Sequence, residues 1–261
     1  MKKKLFTITL CSVFLFCGTL LAARVECKGK TVVLGDSITA SGRYVYYYQL
    51  YLAIRKNADH EYLIPAGIAG TSSNVSDQRL VYDVDSEFPE QVMLMFGMND
   101  VGRNLYAREH PFFLKERKKA LETYRKNMIS LIQRLKKRKI KVVLLAPSPF
   151  DSYGAVQKVA KSNIDSGIEM CAKITKELAV DYETGWIDLH SRLCDILKRN
   201  PESLLLNDRI HPNKTGHLIL ASSLISEIAE KPVFALQNID AEKETVITEN
   251  AVCGKLDVAP D

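Results

Sequence analysis

A serine, a histidine and an aspartate occur where their side chains could carry out acyl transfer. Ser37 directly follows the segment Val32–Asp36, in which three apolar residues lead into Gly-Asp. This pattern predicts a buried strand, a tight turn and the start of a helix, with the serine hydroxyl exposed at the carboxyl end of the strand. Asp208 and His211 are three residues apart, so one local turn can bring their side chains together. Acyl transfer requires a nucleophile and a base with an orienting carboxylate, and all these residue types are present.

The Asp36-Ser37 pair also has a purely structural interpretation. Asp and Ser are both common N-caps, because their side-chain oxygens accept hydrogen bonds from the free N–H groups at a helix start. A helix cap and a nucleophile would occupy the same turn, and these two residues alone favour neither.

Two further stretches follow predicted strands. Gly70 lies in a loop of small residues at 66–73, and Asn99 lies in the segment Gly97-Met98-Asn99-Asp100. Loops after successive strands of a doubly wound sheet gather at one edge, where such folds bind ligands. Donors that could stabilise an oxyanion are therefore available at the same edge as Ser37.

Strands and helices alternate around these stretches. Predicted strands cover 31–34, 62–64, 91–96, 142–146 and 185–189, and Pro65 is predicted to end the second of them. Predicted helices cover 43–54, a segment from Asn74 or Ser76 to about 85, an apolar stripe from Leu121 to Leu135, 154–179 and 215–230. Apolar strands separated by helices predict a three-layer α/β/α fold, flavodoxin-like, with a mainly parallel sheet.

Both ends of the chain differ from this central region. Three lysines at 2–4 precede an apolar run at 5–21 and two alanines, which predicts a secretory signal peptide at 1–23; an uncleaved anchor is the lesser alternative. The central domain is expected at 24–230. A β-rich C-terminal extension is expected at 231–261, with β-like segments at 233–236, 245–247 and 252–258; a disordered tail is the alternative. The protein is therefore expected to be secreted or periplasmic.

Charge and cysteine content restrict the partners. The formal net charge is +5, with 36 basic and 31 acidic residues, but three of the basic residues lie in the predicted signal peptide. The remaining excess is too small to indicate a nucleic-acid partner. Four cysteines follow the signal peptide, Cys27, Cys171, Cys194 and Cys253, and an oxidising compartment would permit disulfides among them. Buried free thiols are an equal alternative, and no C-x-x-C spacing indicates a metal site.

Four motifs together resemble the SGNH (GDSL-like) hydrolase family of serine esterases and lipases, over roughly residues 30–230. They are Gly35-Asp36-Ser37, Gly70, Gly97-x-Asn99-Asp100 and Asp208-x-x-His211-Pro212. The resemblance implies the same three-layer fold, and it implies that Ser37 is the nucleophile, His211 the base and Asp208 the residue that orients the base. The N–H groups of Ser37 and Gly70 and the side-chain amide of Asn99 would form the oxyanion hole. No metal or organic cofactor is implied.

A second Asp/His pair, Asp188 and His190, is interpreted as structural, with Asp188 capping the next helix. His217 is expected to pack or to form a local hydrogen bond.

The leading functional hypothesis is a secreted serine esterase that hydrolyses O-acyl esters, above all acetyl esters, on a small-molecule or carbohydrate substrate. One alternative is a lysophospholipase or thioesterase with the same chemistry. An alternative from another class is a noncatalytic glycan-binding or surface protein that retains the fold. Stable membrane insertion after signal cleavage is not expected, and the sequence leaves the oligomeric state open.

Overall fold

The computed structural model describes residues 29–54, 62–106, 110–153, 163–201, 206, 208–228, 237–240 and 245–248. Five parallel strands form its main sheet: β1 (Lys30–Gly35), β2 (Tyr62–Gly67), β3 (Gln91–Met95), β4 (Lys141–Leu145) and β5 (Gly185–Ile187). Their order across the sheet is β2-β1-β3-β4-β5. The central strands are apolar on both faces because helices cover both sides, which is the usual arrangement of a parallel sheet.

Helices connect the strands: α1 (Ser37–Ala40), α2 (Arg43–Ile54), α3 (Asp77–Asp83), α4 (Pro111–Lys137), α5 (Ile164–Asp181), α6 (Ser191–Arg199) and α7 (Lys214–Ile228). Alternate residues of β1 point into two separate cores. Val32 and Leu34 pack with residues of α3, α4 and α5, whereas Val33 packs with residues of α2, α6 and α7. The predicted three-layer α/β/α architecture is therefore confirmed.

The predicted end of the second strand at Pro65 is wrong. Pro65 lies inside β2 and is opposite Val33 of β1 in the parallel register. Proline lacks a backbone N–H, but a strand at the edge of a sheet tolerates it where that N–H would face away from the neighbouring strand. Because β2 is an edge strand, the proline does not interrupt its pairing with β1.

Several boundaries also shift. Strands β3, β4 and β5 end one or two residues before the predicted limits, and α5 begins at Ile164, whereas residues 154–162 of the predicted helix lie outside the described residues. Of the two predicted caps, Asn74 and Ser76, the structure has Ser76 as the N-cap of α3, because its side chain accepts a hydrogen bond from the Arg79 N–H. The apolar stripe of α4 is buried from Tyr124 to Leu135.

The structure covers the predicted terminal segments only in part. The predicted signal peptide at 1–23 lies outside the described residues. In the C-terminal extension, an antiparallel hairpin joins β6 (Gln237–Asp240) to β7 (Thr245–Thr248), which confirms a strand at 245–247. The segments 233–236 and 252–258 lie outside the described residues. Among the helices that the structure describes, none has the length and apolar character to cross a bilayer.

Candidate active site

Three adjacent strands bring the predicted site segments together. Ser37 follows β1, the loop with Gly70 follows β2, and Asn99 lies just beyond β3. Since β1 lies between β2 and β3, these segments meet at the carboxyl edge of the sheet. The strand that follows β1 in the chain, β2, lies on one side of it, and the next strand, β3, lies on the other side. Doubly wound sheets have a crevice where the strand order reverses in this way.

The turn after β1 contains both the helix cap and the candidate nucleophile. Asp36 is the N-cap of α1, and its Oδ1 accepts a hydrogen bond of 3.0 Å from the Ile38 N–H. Ser37 is the first residue of the helix and is half-buried. The two interpretations of this dipeptide are therefore compatible, because each residue has its own role.

A glycine in the neighbouring strand allows this turn to pack closely on the sheet. A Cβ atom on Gly67 would lie 2.1 Å from the Ala40 nitrogen and 2.5 Å from the Asp36 carbonyl oxygen. Any larger residue would push α1, and Ser37 with it, away from β2. The position of the serine hydroxyl thus depends on a residue 30 places along the chain that has no chemistry of its own.

A chain of hydrogen bonds joins Ser37, His211 and Asp208. The Ser37 Oγ is 2.7 Å from His211 Nε2, and His211 Nδ1 is 2.6 Å from Asp208 Oδ2. A carboxylate can only accept, so Nδ1 carries the proton and donates to it, which leaves the Nε2 lone pair to accept from the serine hydroxyl. This tautomer is the one that a general base requires.

A single turn positions both members of the Asp/His pair. Asp208 Oδ1 accepts from the backbone N–H groups of Ile210 and His211, at 2.9 and 2.7 Å, while its Oδ2 accepts from the imidazole. Between them, Arg209 has a positive φ of 68°, which closes the turn. The turn is held to the sheet edge by a hydrogen bond of 2.9 Å from the Asp151 N–H to the Arg209 carbonyl oxygen.

The pKa values of Asp208 and Asp36 shift in opposite directions. Partial burial alone would raise the pKa of Asp208, but the hydrogen bonds from His211 and from the Ile210 N–H outweigh it and leave the pKa below its ordinary value. Burial of Asp36 raises its pKa to about 6, opposed by the hydrogen bond from Ile38 N–H and reinforced by the nearby charge of Asp100. Asp208 is therefore an anion over the working pH range of an imidazole base.

The loop after β2 presents Gly70 to solvent. Gly70 has a positive φ of 75°, and nothing lies within 4 Å of the position of a Cβ there, so the backbone is open to an incoming group. The Asn99 side chain lies beside this loop and donates from Nδ2 to the Thr71 carbonyl oxygen at 2.8 Å. An amide nitrogen has two hydrogens, so a second donor remains for a substrate oxygen.

Two residues with no predicted role hold this loop in place. Arg79, on α3, donates to the carbonyl oxygens of Gly35 (2.8 Å) and Ala66 (3.0 Å) and to Thr71 Oγ1 (3.0 Å). It thereby ties the end of β1 to the loop after β2. The role of Arg79 could not be recognised from the sequence, because its hydrogen-bond partners are 8, 13 and 44 residues away.

Asp100 anchors the far end of the same loop. Its carboxylate accepts from the Ser73 N–H at 3.0 Å and from the Ser73 hydroxyl at 2.5 Å. Burial raises its pKa, against these hydrogen bonds. The motif Gly97-x-Asn99-Asp100 contained this residue, but its role as an anchor depends on a partner 27 residues earlier.

A second serine–histidine pair lies nearby and lacks the features of a base. Ser41 Oγ is 2.9 Å from His217 Nε2. The hydrogen-bond partner of His217 is therefore 176 residues away in the sequence and is not local. The ring is stacked on Tyr44, and its Nδ1 atom has no hydrogen-bond partner among the described residues. Burial lowers the pKa of His217 to about 4, which makes it a poor proton acceptor.

The other predicted Asp/His pair is structural, as expected. Asp188 Oδ1 accepts from the N–H groups of His190, which is the N-cap residue of α6, and of Ser191, both at 2.9 Å, so Asp188 supports the start of α6 from two residues before the cap. The His190 ring instead points its Nδ1 towards the Pro147 carbonyl oxygen.

Comparisons with known proteins give a consistent result. Residues 33–219 match the GDSL-like Lipase/Acylhydrolase family. The acetylxylan esterase of Geobacillus stearothermophilus is 28% identical over 166 residues, which are 64% of this chain and 71% of that protein. The crystal structure of Axe2, an acetylxylan esterase from the same organism, superimposes with a TM-score of 0.65 at 25% identity, over 81% of this chain and 99% of that one.

A second similar structure is that of a gut microbial diltiazem-metabolizing enzyme. It has a TM-score of 0.72 and 24% identity and covers 90% of this chain, but this chain spans only 55% of that protein. At this level of identity the similarity concerns the fold.

Proposed function

Because the chain belongs to the GDSL-like lipase/acylhydrolase family of carboxylic-ester hydrolases, we propose that it is a secreted serine esterase that removes acetyl groups from carbohydrate through an acyl-enzyme. The observation that carries the mechanism is the continuous set of hydrogen bonds from Ser37 through His211 to Asp208. It supplies a nucleophile, a base and an orienting carboxylate in contact with one another.

In the first half of the reaction, the Ser37 oxygen attacks the ester carbonyl and His211 Nε2 takes the hydroxyl proton. Asp208 stabilises the imidazolium that forms, through the bond at Nδ1. The negative charge on the carbonyl oxygen would be stabilised by the N–H groups of Ser37 and Gly70 and by the side-chain amide of Asn99. The alkoxide then leaves with the proton from His211, and the acyl group remains on Ser37.

In the second half, water replaces the alcohol. His211 removes a proton from the water, the hydroxide attacks the acyl-enzyme, and the same donors stabilise the second oxyanion. Ser37 leaves with the proton from His211, and the carboxylic acid is released. Both halves require the Asp208–His211 turn to keep its geometry, which the bond between Asp151 and Arg209 supports.

The choice of acetyl groups on carbohydrate is supported by the relatives. Two of those compared above are acetylxylan esterases, one by sequence and one by structure. We extend their substrate class to this chain as a proposal, together with a soluble or surface-linked carbohydrate ester as its partner. Secretion is supported by the basic and apolar segments at 1–23, and cleavage after Ala23 would leave the domain at 24–230 and the extension at 231–261.

A panel of p-nitrophenyl esters of increasing acyl length, with acetylated xylo-oligosaccharides beside it, tests the substrate. We expect the highest kcat/KM for the acetyl ester and release of acetate from the glycan. A preference that rises with acyl length and no release from the glycan would refute the acetyl-carbohydrate proposal and favour a lysophospholipase or thioesterase.

A serine-directed organophosphonate tests the nucleophile separately. Labelling should be lost in Ser37→Ala and retained in Ser41→Ala, the matched control in which the neighbouring serine–histidine pair is broken. Labelling that survives in Ser37→Ala would refute the assignment. N-terminal sequencing of protein collected from the periplasm or medium tests cleavage after Ala23.

A further inference from the structure

Three side chains with metal-binding atoms converge beside the segment after β4, and the proposed esterase mechanism uses none of them. They are Asp165 in the first turn of α5, His190 directly before α6, and Cys194 in the first turn of α6. Their nitrogen, sulfur and oxygen atoms all lie within 4.8 Å of one another. His190 and Cys194 are both 5% exposed, so these groups are largely withdrawn from water.

Contacts on the outer side of each group turn its other donor atom inward. The backbone N–H of Phe150 donates to Asp165 Oδ1 at 3.0 Å, which leaves Oδ2 facing the cluster. His190 Nδ1 lies 3.3 Å from the Pro147 carbonyl oxygen, so this nitrogen carries a hydrogen and Nε2 faces the cluster. Ligating histidines and carboxylates in metal sites are commonly oriented by such second contacts.

The inward-facing atoms satisfy one another only in part, since the Cys194 thiol donates to Asp165 Oδ2 whereas His190 Nε2 has no hydrogen bond to that carboxylate. His190 Nε2 is 4.0 Å from Asp165 Oδ2, too far for a hydrogen bond, although His190 is buried and Asp165 is partly buried. A cation in this gap would be attracted by the carboxylate and would have the nitrogen, oxygen and sulfur atoms as ligands. Cys194 Sγ is the third atom at the gap, 3.6 Å from the same Oδ2.

The spacing is close to that of a tetrahedral zinc site. Zinc binds nitrogen and oxygen at about 2.0–2.2 Å and sulfur at about 2.3 Å, which at tetrahedral angles places ligand atoms about 3.3–3.6 Å apart. The observed separation of sulfur and oxygen equals such an edge, that of nitrogen and oxygen exceeds it by roughly half an ångström, and sulfur and nitrogen lie within 4.8 Å of each other. Small side-chain rotations would close the rest.

We propose that Asp165, His190 and Cys194 bind one divalent cation, with Zn²⁺ as the preferred ion. A thiolate, an imidazole and a carboxylate form a ligand set that suits zinc better than magnesium or calcium, which prefer oxygen. Three protein ligands leave the fourth position to water. Binding replaces the thiol proton of Cys194 with the metal and releases that proton to solvent.

A reactive thiol is the competing interpretation of this cluster. The Cys194 side chain is only 5% exposed, so its sulfur is poorly accessible to a reagent in solution, whereas a metal ion at the cluster would bind it from the inner side.

The cation would stiffen the support of the proposed catalytic turn. It would connect α5 and α6 to the segment from Pro147 to Asp151, through the contacts of His190 with Pro147 and of Asp165 with Phe150. The Asp151 N–H in turn donates to the Arg209 carbonyl oxygen in the turn of Asp208 and His211. Bound zinc should therefore raise the melting temperature, whether or not the esterase proposal is correct.

Cobalt provides a spectroscopic test. Tag-free full-length protein, stripped with a chelator, is titrated with Co²⁺ and, by calorimetry, with Zn²⁺. We expect one ion per chain, a thiolate-to-cobalt absorption band and a rise in melting temperature with zinc. Cys194→Ala should abolish the band and weaken zinc binding by at least about tenfold, a loss of the size seen even when supporting residues of metal sites are changed.

Two control variants make the result specific. Cys171→Ala, which removes the other buried free thiol of the described residues, should keep the band and the affinity. His211→Ala should keep both as well, which excludes binding at the candidate active site. Asp165→Asn retains an oxygen for the Phe150 N–H but loses charge, and it should weaken zinc binding without unfolding the protein. A band that persists in Cys194→Ala, or no binding at micromolar zinc, would overturn the proposal.

Discussion

Replacing Asp36 with asparagine should stabilise the protein at neutral pH. Asp36 is 2% exposed, and burial raises the pKa of its carboxyl from 3.8 to about 6. The fully charged form is therefore disfavoured in the folded state relative to the unfolded chain. Asparagine keeps a side-chain oxygen for the Ile38 N–H, so the cap of α1 is preserved while the charge is removed.

The size and the pH range of the effect follow from the shift. A difference of roughly two pKa units corresponds to about 3 kcal/mol, at about 1.36 kcal/mol per unit. Because the folded-state pKa is raised, the folded protein holds this proton more tightly, and stability is lost as the pH rises from about 4 to about 6. The variant should equal the wild type below pH 4 and exceed it by up to about 3 kcal/mol above pH 6.

Urea unfolding of both proteins at a series of pH values between 3.5 and 8 measures this difference. Asp208→Asn serves as the opposite control, because the pKa of Asp208 is lowered in the folded state. Its contribution is present at neutral pH and is lost as the pH falls through the folded-state value, so this variant should be less stable at neutral pH and equal to the wild type in acid. A difference between Asp36→Asn and wild type that does not change with pH, or a destabilised variant at pH 7, would refute the burial argument.

Four variants test the site and its surroundings. Asn99→Ala should lower kcat by about 10²–10³ with little change in KM, as for loss of one oxyanion donor, and a change confined to KM would mean that Asn99 only binds substrate. Asp208→Asn should cost up to about 10⁴ in kcat, as in serine proteases. Asp188→Ala should instead reduce the free energy of unfolding by roughly 0.5–2 kcal/mol, because the N–H groups of His190 and Ser191 lose their acceptor, and it should leave kcat nearly intact; the reverse result would mean that Asp208 does not orient the catalytic base. Arg79→Lys keeps the charge but not the planar set of donors, so kcat should fall while circular dichroism shows a folded protein, and an unchanged kcat and melting temperature would contradict its role in positioning the loop.

Local patterns were the part of the molecule that the sequence predicted best. The run at 32–34 is apolar because helices cover both faces of the sheet, and this alone indicated a buried parallel strand before Ser37. The Asp208–His211 turn was also predictable, because the hydrogen bonds that Asp208 accepts within it come from residues no more than three positions away.

Long-range contacts account for what the sequence did not predict. Pro65 was interpreted as the end of a strand, since nothing in its neighbourhood shows that the strand lies at an edge. Arg79 resembles any other helical arginine until the fold brings the carbonyl oxygens of Gly35 and Ala66 to its guanidinium group. His217 packs in the interior as expected, but its hydrogen-bond partner, Ser41, precedes it by 176 residues, so the sequence does not identify that partner.

The position of Pro65 has a consequence for how copies of this chain could associate. Strands at the edges of a sheet present unpaired backbone groups, which invite edge-to-edge pairing between molecules and, in the extreme, aggregation into fibres. In the five-stranded sheet one edge is β2, where the proline removes a donor, and the other is β5, which has only three residues. Neither edge offers a long, regular template for an additional strand. Assembly of this enzyme through continuation of its main sheet is therefore disfavoured, and copies that associate would do so through helices and loops.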